Sequence, residues 1–190
     1  MGSTTETMVH YVADMRASQF TVQVFSGGVL SAFGHSPTIA IRDFTADAEV
    51  NPESPEPASL KVVIQAASLS VKGDISDKDR REIERMMQQE ILEISSYPEI
   101  VYECSSVTAS KSGEGQYSVT LNGELTMHGV TRPQPVPARV ALSGDSLRAF
   151  GTFTLLQTDY DLRLASVAGG VLKVKDELKF SFNILARKKV

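Results

Sequence analysis

The sequence contains few of the residues on which disulfide, metal and membrane architectures depend. Its 190 residues include one cysteine, three histidines and no tryptophan. Cys104 has no intrachain partner, and His10, His35 and His128 are too widely spaced to form a motif such as HExxH. No apolar run approaches the ~18 residues of a membrane span. The sequence therefore disfavours a disulfide scaffold, a metal site and an integral membrane segment, and it predicts that Cys104 is a small buried strand residue.

Positive charge is also limited. The formal net charge is −4, and the isoelectric point is near 5.4. Such a chain offers no basic stripe to nucleic acid or to an anionic membrane surface, so neither is expected as a partner. The first twenty residues contain neither the apolar core nor the basic start of a secretory signal, and the chain as written is expected to be cytoplasmic. It would be periplasmic or secreted if a signal preceded it and was removed.

Apolar residues alternate with polar ones along most of the chain. The clearest case is segment 115–134, where every second residue from Tyr117 to Met127 is apolar or glycine. This period of two is typical of a β-strand with one buried face. The strand is predicted to end at His128 and Gly129, because a glycine and the prolines that follow it interrupt a sheet ladder.

Similar alternation on both sides of this segment predicts about eight strands. They indicate an all-β fold, a single antiparallel barrel, with residues 18–190 as the barrel domain and residues 1–17 as a tag-like or disordered leader into the first strand. A closed barrel of about eight strands is just wide enough to hold one small ligand. The proline-rich segment 51–57 is predicted to be an exposed loop, and segment 158–170 a long connection. The other predicted strands cover residues 18–25, 29–42 and 44–50 (two strands, or one long strand with a bend), 58–71, 100–108, 136–142, 147–156 and 174–186.

One segment changes period. Across residues 77–95 the apolar side chains recur at spacings of mostly three and four, which is typical of an amphipathic helix. Asp79 and Glu82 resemble a capping box at its start. Met86 and Met87 lie on its apolar face and are predicted to pack over the β core, with a partner-binding surface as the alternative.

Inward-facing strand positions combine large and small side chains. Large residues such as Phe20 and Phe153 are interleaved with small ones such as Ala46 and Gly123. Small residues on an inner face either let the strands approach in a filled core or leave room for a guest, and the pattern leaves both open. The chain has no GxSxG elbow and no phosphate-binding loop, so it is not predicted to be an enzyme.

Five segments, in order, resemble the YceI-like family. The segment GELTMHGVTRP (123–133) is similar to the family block G-x-L-T-x-H-G-V-T. Four more segments resemble the family's opening strand, its P-x-I-x-F-x-S motif, its F-x-x-x-R-x-D-F-G-I motif and its closing strand: SQFTVQVFSGGVLSAFGH (18–35), SSYPEIVYECSS (95–106), FTLLQTDYDL (153–162) and VLKVKDELKFSFNILARK (171–188). Gln157 and Tyr160-Asp161 stand where Arg and Phe-Gly are usual. The resemblance covers nearly the whole chain.

The resemblance implies a lipocalin-like barrel that binds an isoprenoid, an isoprenoid quinone or a fatty-acid-like lipid as a carrier or storage protein, with no other cofactor. The residues then expected to line the apolar pocket are Phe20, Phe33, Leu121, Met127, Phe153, Leu155, Phe180 and Phe182. The polar residues expected at the pocket mouth are His35, Arg42, Asp159 and Arg163. Each of these four is equally consistent with a hydrogen bond at a strand end, and Arg163 is the candidate for contact with an anionic head group.

Two other functions remain open at the level of sequence. One is an interaction module with a filled barrel, whose methionine-bearing helix docks a partner. The other is an enzyme that acts on the bound lipid at His35 or His128. A homodimer is left open as well.

Overall fold

The protein is described by a computed structural model over residues 7–27, 36–167 and 172–190, and its core is a closed antiparallel barrel of eight strands. The predicted all-β barrel with one helical segment is confirmed. Around the barrel the strands follow the order β1-β4-β5-β7-β8-β9-β10-β12, and β12 returns to β1. The strands along the chain are β1 (Val9–Ala13), β2 (Gln19–Gly27), β3 (Thr38–Ile41), β4 (Phe44–Asn51), β5 (Ser54–Gln65), β6 (Leu69–Lys72), β7 (Glu99–Gly113), β8 (Gln116–Met127), β9 (Val130–Ser143), β10 (Ser146–Leu156), β11 (Ser166–Val167) and β12 (Leu172–Lys188).

Four strands lie outside the barrel: β2, β3 and β6 form a branch that starts at β12, and the short β11 pairs with β12 as well. The last residues of β12 pair with β1, whereas its earlier residues pair with β2, which in turn carries β3 and then β6. A single 3-10 turn, Met15–Ala17, separates β1 from β2, and the carboxylate of Asp14 caps it by accepting the N–H of Arg16 at 3.1 Å. The chain therefore bends at this turn, so that β1 belongs to the barrel and β2 to the branch.

The strand that closes the barrel lies in the segment predicted to be a leader. Tyr11 of β1 pairs with Ala48 of β4 on one side and with Lys188 of β12 on the other, and it is 1% exposed. A five-residue strand gives only a short alternating signal, and both of its partners are distant in sequence. Long-range pairing, which local pattern does not show, makes residues 9–13 part of the domain.

Part of the predicted loop 51–57 belongs to β5. The register passes from the pair Val50–Ala58 directly to the pair Asn51–Ser54, so residues 55–57 bulge out of the ladder with β4. Two of these three residues are prolines, which have no N–H to donate. The prolines are tolerated in this strand because they occupy the bulge.

The prolines after the β8–β9 turn do not end the sheet ladder, contrary to the prediction. Pro133, Pro135 and Pro137 all pair with residues of β8. On its other side β9 pairs with β10 only from Arg139 onward. The prolines therefore fall where β9 has a neighbour on one side alone, which is the place in a sheet that accepts them.

The helical segment is shorter than predicted and is not a single α-helix. It consists of α1 (Asp77–Arg85) followed by a π-helical stretch, Met86–Ile91. The N-cap is Ser76, whose hydroxyl accepts the N–H of Asp79 at 3.1 Å and donates to the Asp79 carboxylate at 2.7 Å. The capping contact thus begins three residues before the predicted Asp79–Glu82 box.

The helical segment covers one end of the barrel, as predicted. Met86 and Met87 are partly buried against the main core cluster, and Ile91 and Leu92 are buried within it. This helix end of the barrel is where β5, β8 and β10 finish and β7 begins. Tyr160, in the turn after β10, is 2% exposed in the same cluster.

A second cluster closes the opposite end, which we call the hairpin end because the β4–β5, β7–β8 and β9–β10 turns lie there. Its buried members come from five different barrel strands, namely Tyr11, Val50, Ala58, Leu147 and Ala186. Apolar side chains therefore close both ends of the barrel.

Candidate ligand-binding site

An apolar cavity lies inside the barrel between the two clusters. Its volume is about 170 Å³, and its lining is almost wholly apolar. It runs from Ile64 and Ile100 near the helix end to Val50 and Ala58 at the hairpin end. The strand pattern left a filled core and a cavity as equal alternatives, and the structure shows a cavity.

Aromatic rings form the wall of the cavity towards the helix end. Phe153 and Phe180 stack with ring centroids 4.7 Å apart and an interplanar angle of 7°. Phe20 makes edge contacts with Phe44 at 5.6 Å and with Phe182 at 6.3 Å. Because β10, β12 and β2 are adjacent, inward positions on three neighbouring strands bring these rings together.

Small residues leave the space that the rings do not fill. Alanines on the inward positions of β4, β9, β10 and β12 line the cavity, among them Ala48, Ala138 and Ala149. An alanine side chain ends close to its own strand, so opposite walls of the barrel do not meet across the axis. These residues carried the sequence signal for a cavity, since alternation placed small side chains on the inner face. They were not among the predicted site residues.

Tyr102 places one polar group against the inner wall. Its ring lies against Gly123, and its hydroxyl is 2.9 Å from the carbonyl oxygen of Gln134 and 3.1 Å from that of Leu121. Burial raises the pKa of Tyr102 well above the usual value for a tyrosine, so the hydroxyl stays protonated and donates. The cavity therefore meets a satisfied hydroxyl here.

Five of the eight apolar residues predicted for the pocket line the cavity: Phe20, Leu121, Phe153, Phe180 and Phe182. Met127 and Leu155 are buried in the core cluster at the helix end but are not part of the lining. Phe33 lies outside the described residues. Contact of any of these side chains with a ligand stays a prediction.

The predicted polar residues do not gather at one mouth of the cavity. The guanidinium of Arg163 pairs with Glu90 of the helical segment at 2.8 Å, and the Arg42 side chain donates to the hydroxyl of Ser70. The backbone carbonyl of Asp159 accepts from Arg132. None of Arg42, Asp159 and Arg163 lines the cavity, and His35 lies outside the described residues. Their part in head-group binding stays a prediction.

His128 joins three elements at the helix end. Its Nε2 is 2.6 Å from a carboxylate oxygen of Glu93, and its Nδ1 is 3.2 Å from the carbonyl oxygen of Tyr160. Tyr97 packs on the ring at 4.7 Å. His128 and Gly129 both have positive φ, as a two-residue hairpin turn of this type needs. This histidine fixes the position of the helical segment on the barrel and does not line the cavity.

The single cysteine is buried, as predicted. Cys104 is 4% exposed, its Sγ lies 3.1 Å from the carbonyl oxygen of Ser106, and burial raises the pKa of its thiol. Within the described residues no three histidine, cysteine, aspartate or glutamate side chains are grouped so that they could hold a metal ion. In the same part of the chain, no helix is both long and apolar enough to cross a membrane.

Solved structures of the same fold come from three bacteria. BcnA of Burkholderia cenocepacia shares 19% identity over 91% of this chain and 98% of its own, with a TM-score of 0.67. A polyisoprenoid-binding domain from Saccharophagus degradans, implicated in plant cell wall breakdown, shares 13% identity over 95% and 99%, with a TM-score of 0.63. The YceI protein of Campylobacter jejuni shares 16% identity over 80% and 85%, with a TM-score of 0.60. At these identities the likeness shows the fold.

The family of the protein is identified from its amino-acid sequence. No curated protein matches the chain. The profile of the YceI-like domain matches residues 11–186, from the strand that closes the barrel to the end of the last strand. The resemblance found in the five sequence segments is thereby confirmed, and the chain belongs to the YceI-like domain family.

Proposed function

We propose that the protein binds an isoprenoid or another amphiphilic lipid with an apolar tail in its barrel, as a carrier or storage protein without catalysis. The observation that carries this proposal is the cavity of about 170 Å³ enclosed by apolar side chains. Each methylene buried there contributes ~0.8 kcal/mol to binding, so a tail needs few polar contacts to be held. Membership of a family that includes a polyisoprenoid-binding domain supports the choice of an isoprenoid.

The size of the cavity limits how much of a tail it takes. An apolar cavity of ~150 Å³ holds one benzene molecule, and typical ligand pockets measure ~300–1,000 Å³. The cavity of about 170 Å³ therefore accommodates a segment close to one isoprene unit without any change in the protein. A longer tail requires that side chains move or that part of the tail stays outside.

The polar groups near the cavity support binding rather than catalysis. Tyr102 donates to backbone carbonyls, and both ring nitrogens of His128 lie within hydrogen-bond distance of acceptor oxygens. A general base must lie within hydrogen-bond reach of the substrate proton, but His128 does not line the cavity, and the hydroxyl of Tyr102 stays protonated.

The first experiment is a titration of the purified protein with a prenol of two isoprene units, alongside solvent extraction and native mass spectrometry for a copurified lipid. The variant Ala149→Leu adds three carbons at an inward position that lines the cavity. We expect it to weaken prenol binding more than about tenfold, since it occupies the space a guest needs. Its free energy of unfolding should not fall by more than about 1 kcal/mol, because the new side chain fills a void.

The matched control is Ala141→Leu, which adds the same atoms on β9 at a position that does not line the cavity. It should leave binding unchanged. If wild-type protein binds no prenol and releases no lipid, the proposal is wrong. Equal binding by wild type and both variants would place the ligand outside the barrel.

A further inference from the structure

The backbone pairing between β5 and β7 covers only part of their length. Their ladder ends at the pair Leu60–Cys104, although both strands continue towards the hairpin end. Just beyond this pair β7 contains a bulge at Ser105, and β5 contains the bulge at residues 55–57. Bulges bend the strand that carries them, and here the β7 bulge lies at the start of the unpaired stretch and the β5 bulge further towards the hairpin end. We call the unpaired stretch, Ser54–Ser59 beside Ser105–Ala109, the seam.

In the seam, a side chain takes the place of a backbone acceptor in one hydrogen bond between the two strands. If the register of the ladder continued past the bulge, Glu56 would stand opposite Ala109. Instead of a carbonyl, the carboxylate of Glu56 accepts the N–H of Ala109. Neighbouring strands joined by backbone bonds lie ~4.7–4.9 Å apart, and insertion of a carboxylate requires a wider separation. The contact is exposed, so water competes for it.

The seam reaches the cavity directly. Pro55, Ala58 and Ser59 on one side of it and Val107 on the other all line the cavity. Ser59 and Leu60 also line a polar groove on the outer surface of β4, β5, β7 and β8. At this level a single layer of chain separates the cavity from the groove. Since buried clusters close both ends of the described barrel, the seam offers a route between the cavity and the groove.

A second gap, between β9 and β10, is closed by packing. These strands pair only up to Arg139 and Phe150. Beyond that point a Cβ on Gly151 would lie 2.5 Å from the carbonyl oxygen of Pro137, so the backbones are in contact. The hydroxyl of Tyr102 binds the carbonyl of Gln134 from inside. In the seam, by contrast, no backbone pair joins described residues of β5 and β7, and the packing is between side chains, with Ala58 buried in the hairpin-end cluster and Val107 packed against that cluster.

The groove outside the seam carries excess negative charge. Its lining includes four carboxylates and one lysine. Lys61 pairs with Glu103 at 2.9 Å, and His10 contacts Asp47 at 2.8 Å. The two remaining carboxylates, Glu49 and Glu124, have no cationic partner in the groove. Glu56 adds another carboxylate at the seam itself. A phosphate placed there would face like charges, each worth ~1 kcal/mol at 4 Å in water.

We infer that the ligand enters through the seam between β5 and β7, with its tail in the cavity and its head group in the outer groove. The inference rests on the proposed function. The groove takes an uncharged hydroxyl head and disfavours a phosphate. Carboxylates and the hydroxyls of Ser59 and Ser105 supply acceptors for a hydroxyl head. This assignment differs from the sequence prediction, which gave an anionic head group to Arg163.

The test compares geraniol with geranyl monophosphate, which share one tail. Wild-type protein should bind the alcohol about five- to tenfold more tightly at low salt, and the difference should narrow at about 1 M salt, where the Debye length is ~3 Å. Glu124→Lys and Glu49→Lys each reverse one unpaired groove charge. Each should shift the ratio of the two affinities towards the phosphate by about tenfold or more.

Two controls separate the groove from other sites. Glu177→Lys makes the same charge change at an exposed position on β12 and should leave the preference unchanged. Arg139→Ala removes the positive charge beside the gap between β9 and β10, and Arg163→Ala removes the one beside Glu90. Neither should alter the preference. If either variant loses phosphate binding, the head group lies there and the inference is wrong.

The two proposals fail in different ways. If wild-type protein binds neither geraniol nor the phosphate, lipid binding itself fails. If both bind and the groove variants keep the wild-type preference, the head-group site fails while the cavity proposal stands. A shift in preference with Glu124→Lys and Glu49→Lys, absent from Glu177→Lys, supports the groove.

Discussion

At the scale of single residues, the contact between Tyr102 and Gly123 shows how a barrel wall holds a cavity open. The tyrosine ring occupies the space that a Cβ on Gly123 would need, and its hydroxyl reaches the carbonyl of Gln134 beyond it. The large side chain thus lies flat along the wall instead of crossing the axis. A glycine at the neighbouring position makes this arrangement possible, so the pair contributes both to stability and to the width of the cavity.

The residue-scale prediction concerns Gly123→Ala. The new Cβ would stand 2.5 Å from Cζ of Tyr102 and 2.6 Å from the carbonyl oxygen of Glu103. Because one neighbour is backbone and the other a packed ring, we expect the free energy of unfolding to fall by ~1–3 kcal/mol. Urea denaturation measures it. The control is Gly113→Ala, whose Cβ would meet nothing closer than 3.5 Å and should cost less than half as much. Equal losses in the two variants would contradict the packing account.

Individual residue roles could be predicted only where they follow from strand parity. Parity placed Phe20, Leu121 and Phe153 on the inner face, and the structure finds them at the cavity. It could not show that Met127 lies past the end of the cavity, because parity gives the face of a strand and not the depth along the barrel axis. The ion pair between Arg163 and Glu90 joins residues far apart in sequence, and no local signal indicates it.

At the scale of elements, β12 carries the clearest contrast between a structural and a binding position. Phe180 is 4% exposed and stacks on Phe153, whereas Phe182 is partly buried and contacts Phe20 at its edge. Both line the cavity. The same strand thus presents one aromatic ring to the packed core and another mainly to the open space.

The element-scale prediction is that Phe180→Ala and Phe182→Ala behave differently. Phe180→Ala should lower the free energy of unfolding by ~3–5 kcal/mol, because it leaves a void beside a stacked ring. Phe182→Ala should cost clearly less and should act mainly on binding of a prenol of two isoprene units. Denaturation and prenol titration of both variants check this. Two equally large stability losses with binding untouched would favour a filled core.

The boundaries of strands and turns were predicted well where they follow from the local residue pattern. They were predicted poorly where they depend on pairing with a neighbouring strand. The alternation of β8 and the turn at His128 and Gly129 follow from sequence alone. The prolines of β5 and β9 predict strand ends when read from the sequence, since a proline cannot donate to a ladder. Whether a ladder exists on that side depends on the neighbouring strand. The sequence of one strand does not contain that information.

At the scale of the whole molecule, the cavity is small for the proposed isoprenoid ligand. Packed interiors resist the insertion of added carbons, and overpacking typically costs ~1–3 kcal/mol. A tail that enters by the seam and keeps its head outside has only the cavity of about 170 Å³ to occupy. The molecule as a whole should therefore discriminate among tails by length, and it should do so at the point where the cavity is full.

The whole-molecule prediction concerns affinity across prenols of one to four isoprene units. Burial of five carbons is worth ~4 kcal/mol, or roughly a thousandfold in affinity, while the tail still finds free space. We expect the gain per added unit to fall below about tenfold after the first unit, since one unit fills the cavity and further carbons must displace packed side chains or stay outside. Leu121→Ala enlarges the cavity and should move this break to a longer tail. The exposed Leu156 provides the control, because Leu156→Ala removes the same atoms outside the cavity and should leave the break in place. Calorimetric titration of the series measures these affinities and distinguishes a bound state with an unchanged cavity from one in which the barrel opens. A constant gain through four units, the same in all three proteins, would mean that the barrel opens around the tail and that the cavity does not set the length of the ligand.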